Sequence, residues 1–384
     1  MAADQQRGTV EAVNNSPIHV VFAEEDTLFR LMEMALKRTL TPEGEKTLRY
    51  FFGGDFAVPL DKLTTMAEKL QLPQQIATTV CADEAMLEQS LPEADFVVLE
   101  ASTLDAARLN LCSGKARLIQ QFGRSYSNID VAEARRLKIP VANLTRLSSQ
   151  SCTDHITALI LALARNLFQA HRAVLACRDR SKPGVFAHDR PRNKFNWGGI
   201  RNFKILPHST IGLIGLGENS GFVARRMRDM GARVLYFKRT PLSAEEEQAY
   251  GGITYAPLDS LLADSDFVSL HIPYGPGTEK FAGREFFSKM KRGAYLINTS
   301  RGGILDEEAL CQSLKSGHLG GAALDVYRYE PMPSDAPILD LDNIIWSPHI
   351  SGGEPEYMIE EAEAVVSNIA RVFHGDAPEG LVSQ

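Results

Sequence analysis

The chain has 384 residues, which is more than one hydrophobic core usually organises, so two domains of about 150–200 residues are expected. Its hydrophobic content of 44% and charged content of 23% are typical of a globular protein and argue against a disordered or fibrous one. The net charge of −7 argues against a nucleic-acid partner and would repel a small anionic substrate, so any anion site must be locally basic.

Cysteine usage and the first residues of the chain indicate the compartment. The cysteines are odd in number and form no CxxC pair, which argues against a disulfide framework and a zinc site and fits a reducing environment. Residues 1–17 are polar, lack the apolar stretch of a signal peptide and are expected to be a disordered tail. No apolar run approaches the roughly 20 residues that span a bilayer. We therefore predict a cytoplasmic protein without a bound metal.

The first part of the chain alternates short apolar runs with helical patterns. Continuous apolar runs of this kind are typical of buried parallel strands. A helix is predicted to open at residues 128–130 and to end near Lys138. The predicted strands are residues 19–22, 48–52, 77–80, 96–99, 118–122 and 140–142.

A long helix and a basic segment follow. Ser151 and Asp154 have the spacing of a capping box, which predicts a helix N-terminus at Ser151. Behind it, apolar residues recur at helical spacing and predict one buried stripe. Residues 178–201 are rich in Arg, Lys, Pro and Gly, and are either a solvated connector or a functional loop that reaches the cleft or a partner subunit. The stripe consists of Ile156, Leu159, Ile160, Leu163 and Leu167.

A second alternation of strands and helices begins at Thr210 and predicts a doubly wound parallel sheet. The span that starts at Ser151 has the size of a six-stranded dinucleotide-binding fold. A closing helix is predicted from about Ser351 to about Phe373. The predicted strands are residues 210–214, 233–237, 267–270, 294–298, 322–326 and 344–347.

A glycine loop follows the strand at 210–214, in the sequence TIGLIGLG. Gly215 permits a tight turn, and Gly217 lets the backbone approach a pyrophosphate at the N-terminus of the next helix. Ser220 stands at the third glycine position of GxGxxG and is small enough for close packing. A carboxylate at Glu218 is unfavourable beside a pyrophosphate unless it points outward. The strand before the loop and the helical pattern after it favour a dinucleotide site over a purely structural turn.

Ligands of an open parallel sheet bind beyond the carboxyl ends of its strands. Polar residues there include Arg301, which can fork a carboxylate, together with Glu330 and His349. With a cofactor that supplies the hydride, these residues provide the anion clamp and proton donor for chemistry on a hydroxy acid. Singly, each could be an ordinary surface group, but together at one sheet edge they favour a site. The candidate cofactor-binding residues are Gly215, Gly217, Glu218, Asn219, Ser220, Lys238, Arg239, Thr240, His271, Pro273, Thr278, Thr299, Ser300 and Asp325.

Three blocks of this sequence, in order, resemble the D-isomer-specific 2-hydroxyacid dehydrogenases, which include phosphoglycerate, glyoxylate and hydroxypyruvate reductases. The blocks are LINTSRGGILDEEAL at 296–310, ALDVYRYEP at 323–331 and SPHISGG at 347–353. The resemblance implies that Arg301 binds the carboxylate and carbonyl of the substrate. It also implies that Glu330 pairs with His349 and favours its protonated form, and that His349 protonates the carbonyl oxygen during reduction.

The segment QFGRSYSNID at 121–130 resembles the substrate loop of that family, which makes Gly123, Arg124 and Ser125 candidate substrate-binding residues. Arg124 replaces a small or apolar residue and Ser125 replaces a glycine. The implied architecture is α/β, with a flavodoxin-like substrate domain at 18–150 and 352–384. A Rossmann cofactor domain at 151–351 lies between these segments, and a homodimer is expected through it.

The residue after the second strand of the cofactor domain bears on cofactor choice. An acidic residue there binds the ribose hydroxyls of NAD, whereas this chain has Lys238, followed by Arg239 and Thr240. Lysine has donors only, and two cations with a hydroxyl suit a 2′-phosphate, so NADP is favoured, with NAD as the other possibility. Two further interpretations stay open: an NAD(H)-sensing protein like the dimeric corepressors of the family, and a divergent member with weak activity.

Overall fold

A computed structural model describes residues 17–176 and 196–382, which divide into two compact units. One unit contains the described residues up to Leu147 together with those from Glu354 onward, and the other is Ser148–Gly353. Residues 1–16 of the tail predicted at 1–17, Cys177, residues 178–195 of the basic segment and residues 383–384 lie outside the described residues. Residues 196–201 of that segment form a turn and a short irregular stretch with mostly exposed side chains.

The first unit is built on a parallel sheet with the strand order β2-β1-β3-β4-β5. This is the flavodoxin-like order, as predicted. Helices follow the strands and cover both faces of the sheet. The strands are β1 (Ile18–Phe22), β2 (Ile76–Val80), β3 (Phe96–Leu99), β4 (Leu118–Gln121) and β5 (Val141–Ala142). The helices are α1 (Thr27–Lys37), α2 (Pro42–Phe52), α3 (Ala57–Lys69), α4 (Glu84–Ser90), α5 (Ala106–Leu111) and α6 (Val131–Arg136).

The strand predicted at 48–52 is wrong, because these residues form the last turns of α2. Thr41 caps this helix by accepting the N–H of Gly44, and Pro42 occupies its first position, where the missing N–H costs nothing. Of the run Leu-Arg-Tyr-Phe-Phe, Leu48 is buried while Tyr50 is 71% exposed. The run therefore has one inward-facing side rather than the continuous burial of an interior strand.

The second unit is built on a parallel sheet with the order β12-β11-β10-β9-β6-β7-β8. Numbered within the unit, the strands run 3-2-1-4-5-6-7, which is the dinucleotide-binding order with one strand added. The predicted strands are confirmed to within a residue or two, but the two-residue β8 was missed because it is too short to give a pattern. They are β6 (Thr210–Ile214), β7 (Arg233–Phe237), β8 (Thr254–Tyr255), β9 (Phe267–Leu270), β10 (Tyr295–Asn298), β11 (Gly321–Leu324) and β12 (Ile344–Trp346).

The helices of this unit flank the sheet on both faces. They are α7 (Leu147–Ala164), α8 (Leu167–Leu175), α9 (Glu218–Asp229), α10 (Ala244–Ala249), α11 (Leu258–Asp264), α12 (Arg284–Lys289) and α13 (Glu307–Lys315).

Two predictions about α7 are wrong. The helix begins at Leu147, so Ser151 lies inside it and does not cap it. Asp154 instead forms an ion pair with Arg226 of α9. The apolar stripe ends at Leu163, because Asn166 adopts a left-handed conformation (φ 47°) that breaks the helix, and Leu167 in α8 is 54% exposed.

The last helix, α14 (Glu356–Phe373), confirms the closing helix and packs in the first unit, against α1 and α3. Inside this unit the buried amide of Asn368 donates to Gln120 Oε1 (2.8 Å), and Arg117 donates to the carbonyl of Val372 (2.8 Å). These polar contacts fix α14 against β4, because a buried amide must find a partner. In the described part of the chain, we find no helix that has the length and apolar character needed to cross a membrane.

Candidate active site

The glycine loop makes a tight turn at the end of β6. Gly215 has φ +92°, and a Cβ at this position would lie 2.5 Å from the carbonyl oxygen of His271, so only glycine fits. Gly217 differs, because a Cβ there would meet no atom within 4 Å in the part of the chain that the structure describes. Packing against the described residues therefore does not require glycine at 217, and the open space permits a ligand to approach the N-terminus of α9.

Ser220, at the third glycine position of GxGxxG, forms a side-chain hydrogen bond that a glycine could not form. Its hydroxyl oxygen accepts the N–H of Gly217 (2.8 Å), and the side chain is 1% exposed. The close packing expected of the third glycine falls on Gly221, where a Cβ would lie 2.5 Å from the ring of Tyr250. Glu218, the first residue of α9, is half-buried rather than fully exposed.

The residues after β7 carry positive charge. Lys238 is half-buried, and Arg239 and Thr240 are exposed. The pKa of Glu246 is lowered, mainly by its hydrogen bonds with Ser243 and in part by the charge of Lys238. No carboxylate stands at the 238 position itself, so a ribose hydroxyl there would meet an ammonium group.

Two other candidate cofactor-binding residues, Thr278 and Ser300, form hydrogen bonds within the turns in which they lie. Thr278 donates to the carbonyl of Pro273 (2.7 Å) and accepts the N–H of Gly275 (2.9 Å). Ser300 donates to the buried Oδ1 of Asn298 (2.7 Å). Thr299, between these last two residues, is half-buried. These contacts give the turns after β9 and β10 a defined shape.

Glu330 and His349 form a hydrogen-bonded pair. Nδ1 of His349 lies 2.6 Å from Oε2 of Glu330, and Oε1 of Glu330 accepts the N–H of Tyr327 (2.9 Å). Because Nδ1 is engaged, Nε2 is the ring atom left to exchange a proton with a bound molecule. The pair borders a largely apolar cavity of about 480 Å³ whose lining includes Met332 and Trp346, so a small molecule can reach it.

Arg301 lies just after β10, at the same carboxyl edge of the sheet. Its backbone carbonyl accepts a hydrogen bond from the side chain of the buried Asn298 (3.0 Å). Its side chain is exposed, and Nη1 donates to the carbonyl of Ser300 (2.7 Å). The guanidinium thus keeps donors available for an anion, as its predicted role requires.

Asp325 and Tyr327, which follow β11, form hydrogen bonds to the backbone on both sides of His349. Asp325 is fully buried, and its two oxygens accept the N–H groups of Ile350 (3.0 Å) and Ser351 (2.9 Å). The Tyr327 hydroxyl lies within hydrogen-bonding distance of the carbonyls of Leu324 (2.8 Å) and Ser347 (2.7 Å), and burial raises its pKa to about 12. Sequence reasoning missed this use of Tyr327, because no pattern signals which carbonyl a hydroxyl will reach.

The candidate substrate loop lies in the first unit, after β4. Gly123 is buried with φ +134°, a conformation that favours glycine, while Arg124 and Ser125 are exposed. The carbonyls of Gly123 and Arg124 accept hydrogen bonds from the backbone of Leu144 (3.3 Å) and the side chain of Asn143 (2.8 Å). These two bonds fix the orientation of the loop peptides.

Comparisons with known proteins identify the family. Residues 157–351 match the model of the D-isomer specific 2-hydroxyacid dehydrogenase, NAD binding domain. The chain is 36% identical over 270 residues to a glyoxylate reductase of Korarchaeum cryptofilum, covering 70% of this chain and 77% of the relative. It is 32% identical over 302 residues to a putative 2-hydroxyacid dehydrogenase of Staphylococcus epidermidis, covering 78% and 90%. The chain belongs to the D-isomer specific 2-hydroxyacid dehydrogenase family.

The fold agrees with this assignment. A crystal structure of D-mandelate dehydrogenase from Rhodotorula graminis matches with a TM-score of 0.56 over 96% of this chain and 98% of that one, at 20% identity. At that identity the match supports the fold alone. This dehydrogenase is an oxidoreductase that transfers a hydride between a nicotinamide cofactor and a 2-oxo or 2-hydroxy acid.

The second unit of the dehydrogenase has features that fit such a cofactor. Besides the open space at Gly217, Nε2 of His271 and Oδ1 of Asn219 are buried without a hydrogen-bond partner among the described residues. Burial lowers the pKa of His271 to about 4, so its ring is neutral at neutral pH and retains one acceptor nitrogen. Buried polar atoms without protein partners are rare, and a polar dinucleotide would supply the missing bonds.

The glycine loop gives a test that separates cofactor binding from stability. We expect Gly217→Ala to leave the free energy of unfolding nearly unchanged, because its Cβ would lie more than 4 Å from the other described residues, apart from its neighbours in the chain. It should weaken NADH and NADPH binding at least about tenfold, or ~1.4 kcal/mol, by blocking approach to the helix N-terminus. Fluorescence titration and urea unfolding measure the two quantities. Gly54→Ala, at another open glycine but in the first unit, is the control; equal affinities in both variants would contradict this expectation.

Proposed function

We propose that this dehydrogenase reduces a small 2-oxo acid to the D-2-hydroxy acid, with His349 as proton donor, Glu330 as its partner and Arg301 as the carboxylate clamp. The observation that carries the proposal is the 2.6 Å contact between His349 Nδ1 and Glu330 Oε2. The contact with Glu330 engages Nδ1 and orients the ring, so Nε2 is the atom that offers a proton to the substrate carbonyl oxygen.

The charge balance of the reaction explains why these residue types are needed. When bound, the nicotinamide supplies the hydride to the carbonyl carbon. Negative charge then develops on the carbonyl oxygen, and His349 neutralises it by giving up the Nε2 proton. Arg301 holds the carboxylate through paired N–H donors, which fixes the carbonyl relative to His349. We assign Gly123, Arg124 and Ser125 to substrate binding as part of the same proposal.

Removing the side chain of His349 or that of Arg301 should abolish most turnover. For His349→Ala we expect kcat with glyoxylate to fall about 10²–10⁴-fold while cofactor affinity is kept, because a positioned general acid contributes that much. For Arg301→Ala we expect a comparable loss, together with weaker inhibition by oxamate. Steady-state kinetics measure both effects, and Arg284→Ala, at an exposed arginine of α12, is the control. Wild-type rates in the His349 and Arg301 variants would remove these two assignments.

We further propose that NADP is the preferred cofactor. Support comes from the absence of a carboxylate at position 238 and from the two cations and hydroxyl of Lys238, Arg239 and Thr240. The planar guanidinium of Arg239 can pair with two oxygens of a 2′-phosphate, while Lys238 adds a point charge.

The comparison of kcat/KM for NADPH and NADH tests this preference. We expect the native enzyme to favour NADPH and Lys238→Asp to shift the ratio towards NADH by at least about tenfold, since like charges repel the 2′-phosphate. Lys46→Asp, an exposed substitution in α2, makes the same change in net charge away from the site and should leave the ratio unchanged. A native preference for NADH would show that this interpretation of Lys238 and Arg239 is wrong.

A cytoplasmic homodimer is the remaining part of the proposal. Helix α8 is amphipathic but has no buried residue, and it exposes Leu167 (54%) and Val174 (55%). Residues 196–205, which approach α8 through Gly198 and Ala173, add the exposed side chains of Trp197, Phe203 and Ile205. An apolar surface of this kind is typical of a protein interface.

A charge placed on this surface should weaken the dimer. We expect the native protein to have twice the chain mass in light scattering and Val174→Glu to shift towards the monomer at micromolar concentration, because a buried unpaired carboxylate is costly. Glu363→Gln, an exposed change on α14 in the first unit, should have no effect. A monomeric native protein would contradict the dimer.

A further inference from the structure

The backbone of His349 has an unusual conformation. Its φ of +56° lies in the left-handed region, where a residue other than glycine persists only if its surroundings hold it. The chain is held on both sides of His349. Before it, the carbonyl of Ser347 lies 2.7 Å from the Tyr327 hydroxyl, and after it, the N–H groups of Ile350 and Ser351 donate to Asp325.

His155 of α7 contacts both Ser347 and Asp325. Its Nε2 lies 2.9 Å from Oγ of Ser347 and 3.5 Å from Oδ1 of Asp325. With the proton on Nε2, the ring donates to Ser347 and faces the carboxylate of Asp325, whose side chain is 0% exposed. His155 therefore links α7 to Ser347, two residues before His349, and to Asp325, which accepts the N–H groups of the two residues after it.

We propose that His155 is a positioning residue, which holds the left-handed backbone of His349 through Ser347 and Asp325 and so aims the imidazole. The proposal rests on the proposed role of His349. His155 does not contact Glu330 or His349 in the hydrogen-bond network of the described residues, so its effect on the reaction is indirect. Without the ring, Ser347 loses a partner and Asp325 keeps its two N–H donors alone, which loosens the segment at 347–351.

Amide exchange provides a test that does not depend on activity. The peptide carrying Ile350 and Ser351 should exchange its amides roughly 3- to 10-fold faster in His155→Phe than in the native enzyme, because a lost hydrogen bond favours local opening. His155→Gln, whose amide can place a nitrogen near the position of Nε2, should restore most of the protection. The control is His318→Phe, since His318 is also half-buried and contacts the carbonyl of Met290 through Nε2 (3.0 Å) in the same unit.

The catalytic consequence is measured with glyoxylate, per cofactor-binding site counted by fluorescence titration. For His155→Phe we expect kcat to fall about 10- to 100-fold, the effect of a small misplacement of a reacting group. KM for glyoxylate should change less than about twofold, because Arg301 is untouched. His155→Gln should recover most of kcat, and His318→Phe should match the native enzyme.

Ser347→Ala removes the same contact from its other side and decides the matter if His155→Phe does not fold. The proposal is overturned if exchange at Ile350 and Ser351 is unchanged in every folded variant that lacks the His155–Ser347 contact. It is also overturned if kcat per site stays at the native value in those variants. If His349→Ala keeps native turnover, the proposed function fails, and the exchange rates still report whether His155 holds this segment.

Discussion

Parallel pairing is the constraint on which the site of this dehydrogenase depends. Every strand of the second sheet runs in the same direction, so every carboxyl end opens at one edge. Residues that are far apart in the chain, such as Gly215, Arg301 and His349, follow different strands and arrive at that edge together. Polar side chains can then be grouped without breaking the apolar interior, since the inner strands β6, β9, β10 and β11 are almost wholly buried.

The features that the sequence predicted well are those that buried surface dictates. Parallel strands of an α/β core are covered on both faces, so runs such as FVVL at 96–99 could be identified by apolar continuity alone. The run at 48–52 was misread because a helix with one inward face can present an equally apolar segment. Thr41 and Pro42 carried the deciding signal. The boundary at Asn166 could not be predicted, because a left-handed residue leaves no periodic trace.

The candidate site also combines features that could be predicted from the sequence with features that could not. Gly215 follows from a motif whose backbone requirement is steric, and the structure gives the carbonyl that enforces it. The pairing of Glu330 with His349 was implied by a family resemblance, and the geometry brings the two side chains together. The hydrogen bonds that Ser220, Tyr327 and Asp325 form with their separate partners could not be predicted, since each depends on atoms that folding alone brings within reach.

Strand order also separates the residue proposed to choose the cofactor from the residues proposed to carry out the chemistry. Lys238 follows β7, whereas Glu330 and His349 follow β11 and β12. β7 is four strand spacings from β11, and with a spacing of about 4.8 Å this distance is roughly 19 Å. Sites so far apart share no partners, so their energetic effects should be nearly additive. With the role proposed for Lys238, a change at position 238 alters which nicotinamide is bound while the Glu330–His349 pair and the segment at 347–351 stay as they are.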